Sequence, residues 1–488
     1  MHMAGSDRSA ANLWKRAMKS LDVLRGMYVR SPDGVKNALR PLISLVPTRF
    51  KFGRSYTDWR RRVEWAEKDP RYAADQHLAA LRSLLGKAYQ GSSFYRDIIG
   101  RSFSGHFDSS TFSPDDLQRL PVLNKEILKR AGDAVLAVPR QQVDVGETSG
   151  SNGEAGFAFY LDRDRSPREM AFIYDVWGRI GFSERDARAS LRGFALKNPE
   201  NTHDWDPALR ELRLAVFPMT TAGVHSYVDE IDRRQIRYIY GYPSAIELFC
   251  RRLTQIVRRP RLPIKGILPI SEPLYEHQRE LIDDTLGPVK FACFYGQSEK
   301  VAFAREVEGQ RDLYEFNPLY GLTEVLDDDG QQVTEPGREG RIVATGFLST
   351  GMPFIRYDTG DFGELEQRPC FGNGYRLRIR SLAPRRKPGF LVTFDGHRVV
   401  ATDLAPENPE FFAGISEYQF FQDRPGVVTV RYILDGAGSL ADAERLCRTF
   451  SAKTQGAVTF RPEEVTVIMT GRGGKRAYID QRLKLELS

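Results

Sequence analysis

Between residues 236 and 295 three short apolar runs stand out: Ile236-Arg-Tyr-Ile-Tyr-Gly241, Ile264-Lys-Gly-Ile-Leu-Pro-Ile270 and Val289-Lys-Phe-Ala-Cys-Phe-Tyr295. Two stretches with helical spacing, Pro243 to Ile256 and Tyr275 to Leu286, separate them. Short apolar runs alternating with helices of this length predict parallel strands joined by crossover helices, with both sheet faces covered. Such a sheet carries its reactive groups in the loops that follow its strands. Gly241-Tyr-Pro-Ser244, Ser271-Glu272 and Tyr295-Gly-Gln-Ser-Glu299 are therefore expected along one rim.

The flanks of this α/β block read differently. Leu78, Leu81, Leu84, Leu85 and Ala88 recur at helical spacing within Ala73 to Tyr95, and Ser113-Pro-Asp-Asp-Leu117 opens a helix with a Ser cap and acids in its first turn. Gly156-Phe-Ala-Phe-Tyr-Leu161 alternates as a strand does, Ser166 to Gly178 reads as an amphipathic helix, and Arg188 to Leu196 as a strand entering a turn. From Leu313 to Leu365 strand and turn signals dominate. After the proline-flanked Ala383-Pro-Arg-Arg-Lys-Pro-Gly389 a unit of about a hundred residues begins, with strands at Val427 to Ile433 and Val465 to Met469 and a helix from Leu440 to Thr454. A chain of 488 residues is too long for one ordinary core. The expected organisation is a basic helical extension over 1–70, a large domain over 71–384 with parallel-rich sheets and crossover helices, and a small mobile α+β domain over 385–488.

Composition narrows the function classes. No run approaches the roughly 18 uncharged apolar residues of a membrane span, and the amino terminus lacks the apolar core of a signal peptide, so a cytoplasmic location is expected. Cys250, Cys293, Cys370 and Cys447 are far apart without a CxxC, which favours free buried thiols over zinc or disulfides. The net charge of +7 is spread along the chain, with dense patches at Arg60-Arg61-Arg62, Arg251-Arg252, Arg258-Arg259-Pro260-Arg261 and Arg385-Arg386-Lys387. No nucleic-acid motif accompanies it. The basic stripe with Leu21, Leu24, Met27 and Val29 suits either peripheral membrane contact or packing on its own domain.

One further stretch invites chemistry. In Val145-Gly-Glu-Thr-Ser-Gly-Ser-Asn-Gly-Glu-Ala-Gly156, small residues and hydroxyls let backbone amides converge as they do around a phosphate. The composition also suits a plain surface loop. Glu154, not Lys, comes after Gly153, which rules out the Walker A loop.

Taken in order, this glycine run, Tyr295-Gly-Gln-Ser-Glu299, Tyr357-Asp-Thr-Gly-Asp361 and Gly474-Lys475 resemble the motif set of the AMP-forming acyl-activating ligases. Within that superfamily the chain is most similar to the phenylacetate-CoA ligase-like proteins of the capsular polysaccharide, or CapK, type. Leu120-Pro-Val-Leu-Asn-Lys125, Gly241-Tyr-Pro-Ser244, Tyr320-Gly-Leu-Thr-Glu324 and Met352-Pro-Phe-Ile-Arg-Tyr357 extend the resemblance over about residues 55 to 485. It implies that Thr148, Ser149, Gly150, Ser151 and Gly153 hold the β- and γ-phosphates of ATP. It assigns Tyr295 and Gly296 to the adenine, Asp361 to the ribose hydroxyls and Glu299 to Mg²⁺, with Lys475 bridging the substrate carboxylate and the α-phosphate. The implied activity joins a carboxylic or amino acid to an acceptor, an amine on a sugar or metabolite in surface-glycan synthesis, or the thiol of CoA. A scaffold that binds nucleotide without catalysis is the reading from outside the enzymes. At the hinge, Arg385-Arg386 stands where the family has Gly-Arg, and Pro388-Gly389 where an acid is expected. Arg356 and Arg380 are further candidates for a phosphate or carboxylate, or equally surface or ion-paired arginines, and Arg192 suits a second anion or a structural salt bridge.

Overall fold

A computed structural model describes residues 51–147, 158–192, 196, 201–216, 219–384, 390–400, 404, 414–434, 438–468 and 479–483. The expected crossover pattern is present. Strands Arg188–Leu191, Tyr238–Gly241, Gly266–Pro269 and Lys290–Phe291 run parallel, Glu211–Leu214 joins them in parallel, and His203–Asp206 closes the sheet antiparallel. One face packs Ala189, Leu191, Ile239 and Ile267 under helices Thr221–Arg233, Pro243–Gln255 and Glu276–Leu286. The other turns Tyr238, Tyr240 and Leu268 toward Phe172 and Trp177 of helix Arg165–Arg179. Both faces are apolar because both are covered, which is why these strands read as apolar runs rather than alternating ones. Gly241 is required where it stands, since a Cβ there would meet the Leu191 carbonyl oxygen at 2.3 Å.

The run Val289 to Tyr295 is not one strand. Lys290–Phe291 edges the parallel sheet, whereas Phe294–Gly296 belongs to an antiparallel sheet of seven strands. In that sheet the order is Gly321–Leu326, Glu339–Gly346, Tyr357–Gln367, Arg378–Pro384, Gln310–Phe316, Phe303–Val307 and Phe294–Gly296. The chain changes partners at Cys293, whose carbonyl accepts from Glu306 N at 3.0 Å. This transfer carries Tyr295 out of the parallel sheet.

The expected helix over Ala73 to Tyr95 ends at Gly91, because Ser92 leaves helical geometry and caps a new helix, Ser93–Ser102, by accepting from Tyr95 N. Ser113 does cap, but the segment it opens is the short 3₁₀ turn Pro114–Arg119 and not an α-helix. Residues 1–50 of the expected extension lie outside the described residues. Its end forms helix Gly53–Lys68, which buries Tyr56, Val63 and Ala66 in the same core as Phe172 and Trp177 and pairs Arg60 with Asp175 at 3.2 Å.

At the carboxy end, strands Thr459–Glu464, Val427–Leu434, Ile415–Arg424 and Ile479–Gln481 form a sheet with helix Leu440–Lys453. Phe420, Val428, Val430, Leu446 and Phe450 share a core with Leu391 and Val399 of the hairpin Phe390–Val392/Arg398–Val400. The strand expected at Val465 is Thr459–Glu464; pairing with Tyr432 stops after Val465 N. The fold is α/β, with a large amino-terminal part and a smaller α+β carboxy-terminal unit. Cys250, Cys293 and Cys447 are free and buried as expected, while Cys370 is exposed.

Two arginines singled out as anion partners are otherwise engaged. Arg356 Nε and Nη2 donate to both carboxylate oxygens of Glu324 at 3.1 and 3.0 Å, and its Nη1 donates to Leu120 O at 2.6 Å. Arg380 pairs with Glu366 at 3.0 Å. The Arg356–Glu324 pair is buried, and burial raises the Glu324 carboxyl against the pull of the guanidinium. Removing one partner leaves the other charge uncompensated. Glu324→Ala is expected to lower stability by about 3–5 kcal/mol in urea unfolding; a loss below about 1 kcal/mol would contradict the pair's structural role.

Candidate active site

Tyr295 and Asp361 lie four strands apart in the antiparallel sheet, a separation of about 19 Å if the sheet were flat. Two such side chains cannot reach that far, yet the Tyr295 hydroxyl donates to Asp361 Oδ2 at 2.7 Å. The sheet therefore curls until its edge strand faces its middle. Register shifts at Glu306/Val307, Arg341/Val343 and Phe362/Glu364 supply the bending. Phe316 lies against the Tyr295 ring at 5.7 Å, edge to face, and Gln297 Nε2 donates to the Tyr295 hydroxyl. Tyr295 is half-buried and Gly296 exposed.

Glu299, just beyond this edge strand, is buried. The Tyr357 hydroxyl donates to its Oε1 at 2.8 Å, and Lys125 Nζ stands 3.6 Å from the same oxygen. A short parallel bridge places Lys125 there. Leu123 N donates to Arg356 O and Asp358 N to Leu123 O, both at 2.8 Å, which stitches Leu120–Asn124 along the start of the Tyr357–Gln367 strand. Asn124 then caps helix Lys125–Ala131. Lys125 and Tyr357 lie within the sequence motifs, but the sequence assigns them no role. Nothing in their own spacing announces the bridge, because it joins segments more than two hundred residues apart.

Electrostatics sets Asp361 apart. Burial pushes its carboxyl up to about 6, hydrogen bonds from Tyr295 and Gln297 oppose this, Glu299 adds to it and Lys125 opposes. Burial and the neighbouring Asp361 carboxylate in turn hold the Tyr295 phenol well above its usual range. Thr148, Ser149, Gly150, Ser151 and Gly153 lie outside the described residues, as do Arg386 and Lys475. The flanks of the glycine run are described: Val143–Glu147 and Ala158–Asp162 pair antiparallel. Gly146 sits flush against Phe159, whose ring a Cβ would meet at 2.7 Å. Phe159 lies 6.2 Å from Phe354, and Phe354 5.1 Å from Tyr357. Asp162 clamps the base of the hairpin by accepting from Gly351 N at 2.8 Å and Thr350 N at 3.2 Å. The hairpin that carries the glycine run is thus anchored two rings from Glu299.

On the parallel-sheet rim, Ser244 N and Oγ each donate to the Glu272 carboxylate at 2.9 Å. The first two expected rim segments therefore meet, and burial lifts Glu272 to about 7. Arg192 ends the Arg188–Leu191 strand with its guanidinium 5.0 Å above the Tyr240 ring. Among the described residues no group of three or more His, Cys, Asp or Glu is arranged to hold a metal. A lone buried carboxylate nonetheless fits Mg²⁺, which binds through one or two carboxylates and takes its other ligands from phosphates and water.

No family model matches the chain. In sequence it is 22% identical over 403 residues to Protein CapK of Staphylococcus aureus, covering 81% of this chain and 86% of that one. It is 24% identical over 316 residues to the phenylacetate-coenzyme A ligase of Thermus thermophilus, covering 62% and 68%. A crystal structure of 2-hydroxyisobutyryl-CoA ligase, in complex with 2-HIB-AMP and CoA, superposes with a TM-score of 0.50 at 18% identity over 84% of this chain and 90% of that one.

A raised Asp361 makes a pH test of this geometry. A carboxyl raised in the folded state favours folding when neutral, and that contribution disappears as pH rises through the folded value. The stability gained by Asp361→Asn is expected to grow from about pH 4 to about pH 6 and then level off in urea titrations. A gain independent of pH would contradict the burial of this carboxyl. In sequence the chain is thus similar to CapK and to a phenylacetate-coenzyme A ligase, and it shares the fold of 2-hydroxyisobutyryl-CoA ligase.

Proposed function

We propose that this protein is an ATP-dependent, AMP-forming ligase that activates a carboxylic or amino acid and passes the acyl group to an amine on a sugar or small metabolite. The observation that carries the proposal is the meeting of Tyr295, Asp361, Glu299 and Lys125 in one side-chain cluster of a curled sheet, in a chain similar to CapK and to a phenylacetate-coenzyme A ligase.

In this mechanism the adenine lies on Tyr295 beside Gly296, and the ionised Asp361 accepts from the ribose hydroxyls, a task suited to a carboxylate. Thr148, Ser149, Gly150, Ser151 and Gly153 hold the β- and γ-phosphates. Glu299 holds Mg²⁺, which supplies positive charge beside the phosphates when bound. Tyr357 fixes the Glu299 rotamer, and Lys125 offsets its charge without a domain having to move. A carboxylate oxygen of the acid attacks the α-phosphorus, the bond to the β-phosphate bridge breaks, and pyrophosphate leaves. Lys475 meets the charge that builds on the α-phosphate and on the carboxylate. The acceptor amine then attacks the acyl carbon, loses a proton, and AMP departs.

Residues 385–389, between the last antiparallel strand and Phe390, are assigned as the boundary between domains 71–384 and 385–488, with Arg386 at the hinge. The acyl pocket is assigned between Gly241-Tyr242-Pro243-Ser244, Ser271-Glu272 and Phe291 to Phe294, on the rim where Ser244 donates to Glu272. Activity on a soluble acid fits a chain whose described helices include none long and apolar enough to cross a membrane. A cytoplasmic location and a peripheral role for the basic residues before 51 belong to the same proposal.

Thioester formation with CoA is the second reading, favoured by the names of two of the proteins this chain resembles. Products from a panel of acids offered CoA or an amino sugar distinguish the two: an amide is expected, and a thioester without amide would overturn the choice of acceptor. Lys475→Ala is expected to lose about 10²-fold or more in ATP-dependent pyrophosphate release. An unchanged rate would place the reactive cation elsewhere.

A further inference from the structure

The carboxy-terminal unit touches the large part through a hairpin turn. Asp395 and His397, in the turn between Phe390–Val392 and Arg398–Val400, meet Arg252 in the last turn of helix Pro243–Gln255. Arg252 Nη2 lies 3.0 Å from His397 Nε2 and 3.6 Å from Asp395 Oδ2. The same His397 Nε2 lies 3.2 Å from Asp395 Oδ2. A guanidinium has only donors, so this nitrogen is the acceptor and the neutral ring carries its proton on Nδ1. The turn is rigid on its own account: His397 N donates to Thr393 Oγ1 at 2.9 Å, Thr393 N to His397 O at 2.9 Å, and Thr393 Oγ1 to Asp395 Oδ1. Arg252 is held in turn by Gln255 Oε1 at 2.9 Å.

We infer that Arg252 and His397 are positioning residues whose hydrogen bond holds the carboxy-terminal unit in one orientation on the large part, and that a proton on His397 releases it. Protonated, Nε2 becomes a donor and no longer accepts from Arg252. Its nearest acceptor is then Asp395 on its own hairpin, so protonation sets a second cation against Arg252, makes His397 compete for Asp395, and leaves the 3.6 Å Arg252–Asp395 ion pair to hold the turn. The charged groups facing the ring are Asp395 on the hairpin and Arg252, Arg251 and Glu247 on the helix. Burial is the largest influence and lowers His397 from 6.5; Arg252 and Arg251 act in the same direction, Asp395 and Glu247 against it. A released turn therefore takes up a proton more readily than a docked one. The contact is intact near neutral pH and weakens progressively as pH falls below 6.5.

The consequence for catalysis rests on the ligase reading, in which Lys475 of the proposed domain 385–488 acts at the α-phosphate. The test does not need that reading. In the full chain with Cys370→Ser, nitroxides on Val257→Cys and Val467→Cys, both exposed positions on opposite sides of the contact, report the distance between the parts by pulsed electron resonance. A narrow distribution is expected at about pH 7.5, and loss of its narrow component at about pH 5.5. Arg252→Ala is expected to lack the narrow component at both values. His397→Gln, whose amide oxygen accepts from Arg252 and does not titrate, is expected to keep it at both. Circular dichroism at each pH separates release from unfolding. A distribution unchanged by Arg252→Ala, or a pH response surviving in His397→Gln, would overturn the inference. Absence of pyrophosphate release would instead count against the ligase reading alone.

Discussion

The hydrogen bond from the Tyr295 hydroxyl to the Asp361 carboxylate at 2.7 Å, with that from the Tyr357 hydroxyl to Glu299 at 2.8 Å, joins the edge of a seven-stranded sheet to its own middle. The cluster depends on that closure. In a flat sheet Tyr295 and Asp361 would sit on separate surfaces, and Glu299 would lose Tyr357 and Lys125 as neighbours. Closure also removes water from around Asp361, and this desolvation is the largest influence holding its carboxyl near 6. Geometry and acidity at this position thus share one cause.

The two sheets have different duties. The parallel sheet is a packed support, apolar on both faces, whose strand ends bring Ser244 to Glu272. The antiparallel sheet carries the charged groups of the cluster. They are joined by the stretch from Lys290 to Gly296, which serves as an edge strand in each. A lesion in this crossing, for instance at the buried Ala292 or Cys293, would disturb the support and the cluster together.

The sequence makes some of this legible and hides the rest for physical reasons. The parallel sheet is readable because strands covered on both faces are apolar throughout and the helices between them have clear periodicity. Tyr295, Glu299 and Asp361 are readable as parts of ordered motifs, and the structure brings them into one cluster. The division of Val289 to Tyr295 between two sheets is not readable, since an apolar run gives no sign of where its hydrogen-bond partners change. Lys125 is hidden for a similar reason: its place depends on Leu123 pairing with the distant Tyr357. Arg356 invites assignment to an anionic ligand, and only the burial of Glu324 beside it shows that its charge is already met within the protein.

The central claim, that a nucleotide base rests on Tyr295 beside Asp361, is tested most directly by photolabelling with 8-azidoadenosine triphosphate and tryptic mapping of the product. The account predicts label on the peptide from Phe291 to Lys300, which carries Tyr295, Gly296 and Glu299, and its suppression by excess ATP. Label that ATP suppresses but that maps to peptides remote from Tyr295 and Asp361 would contradict it.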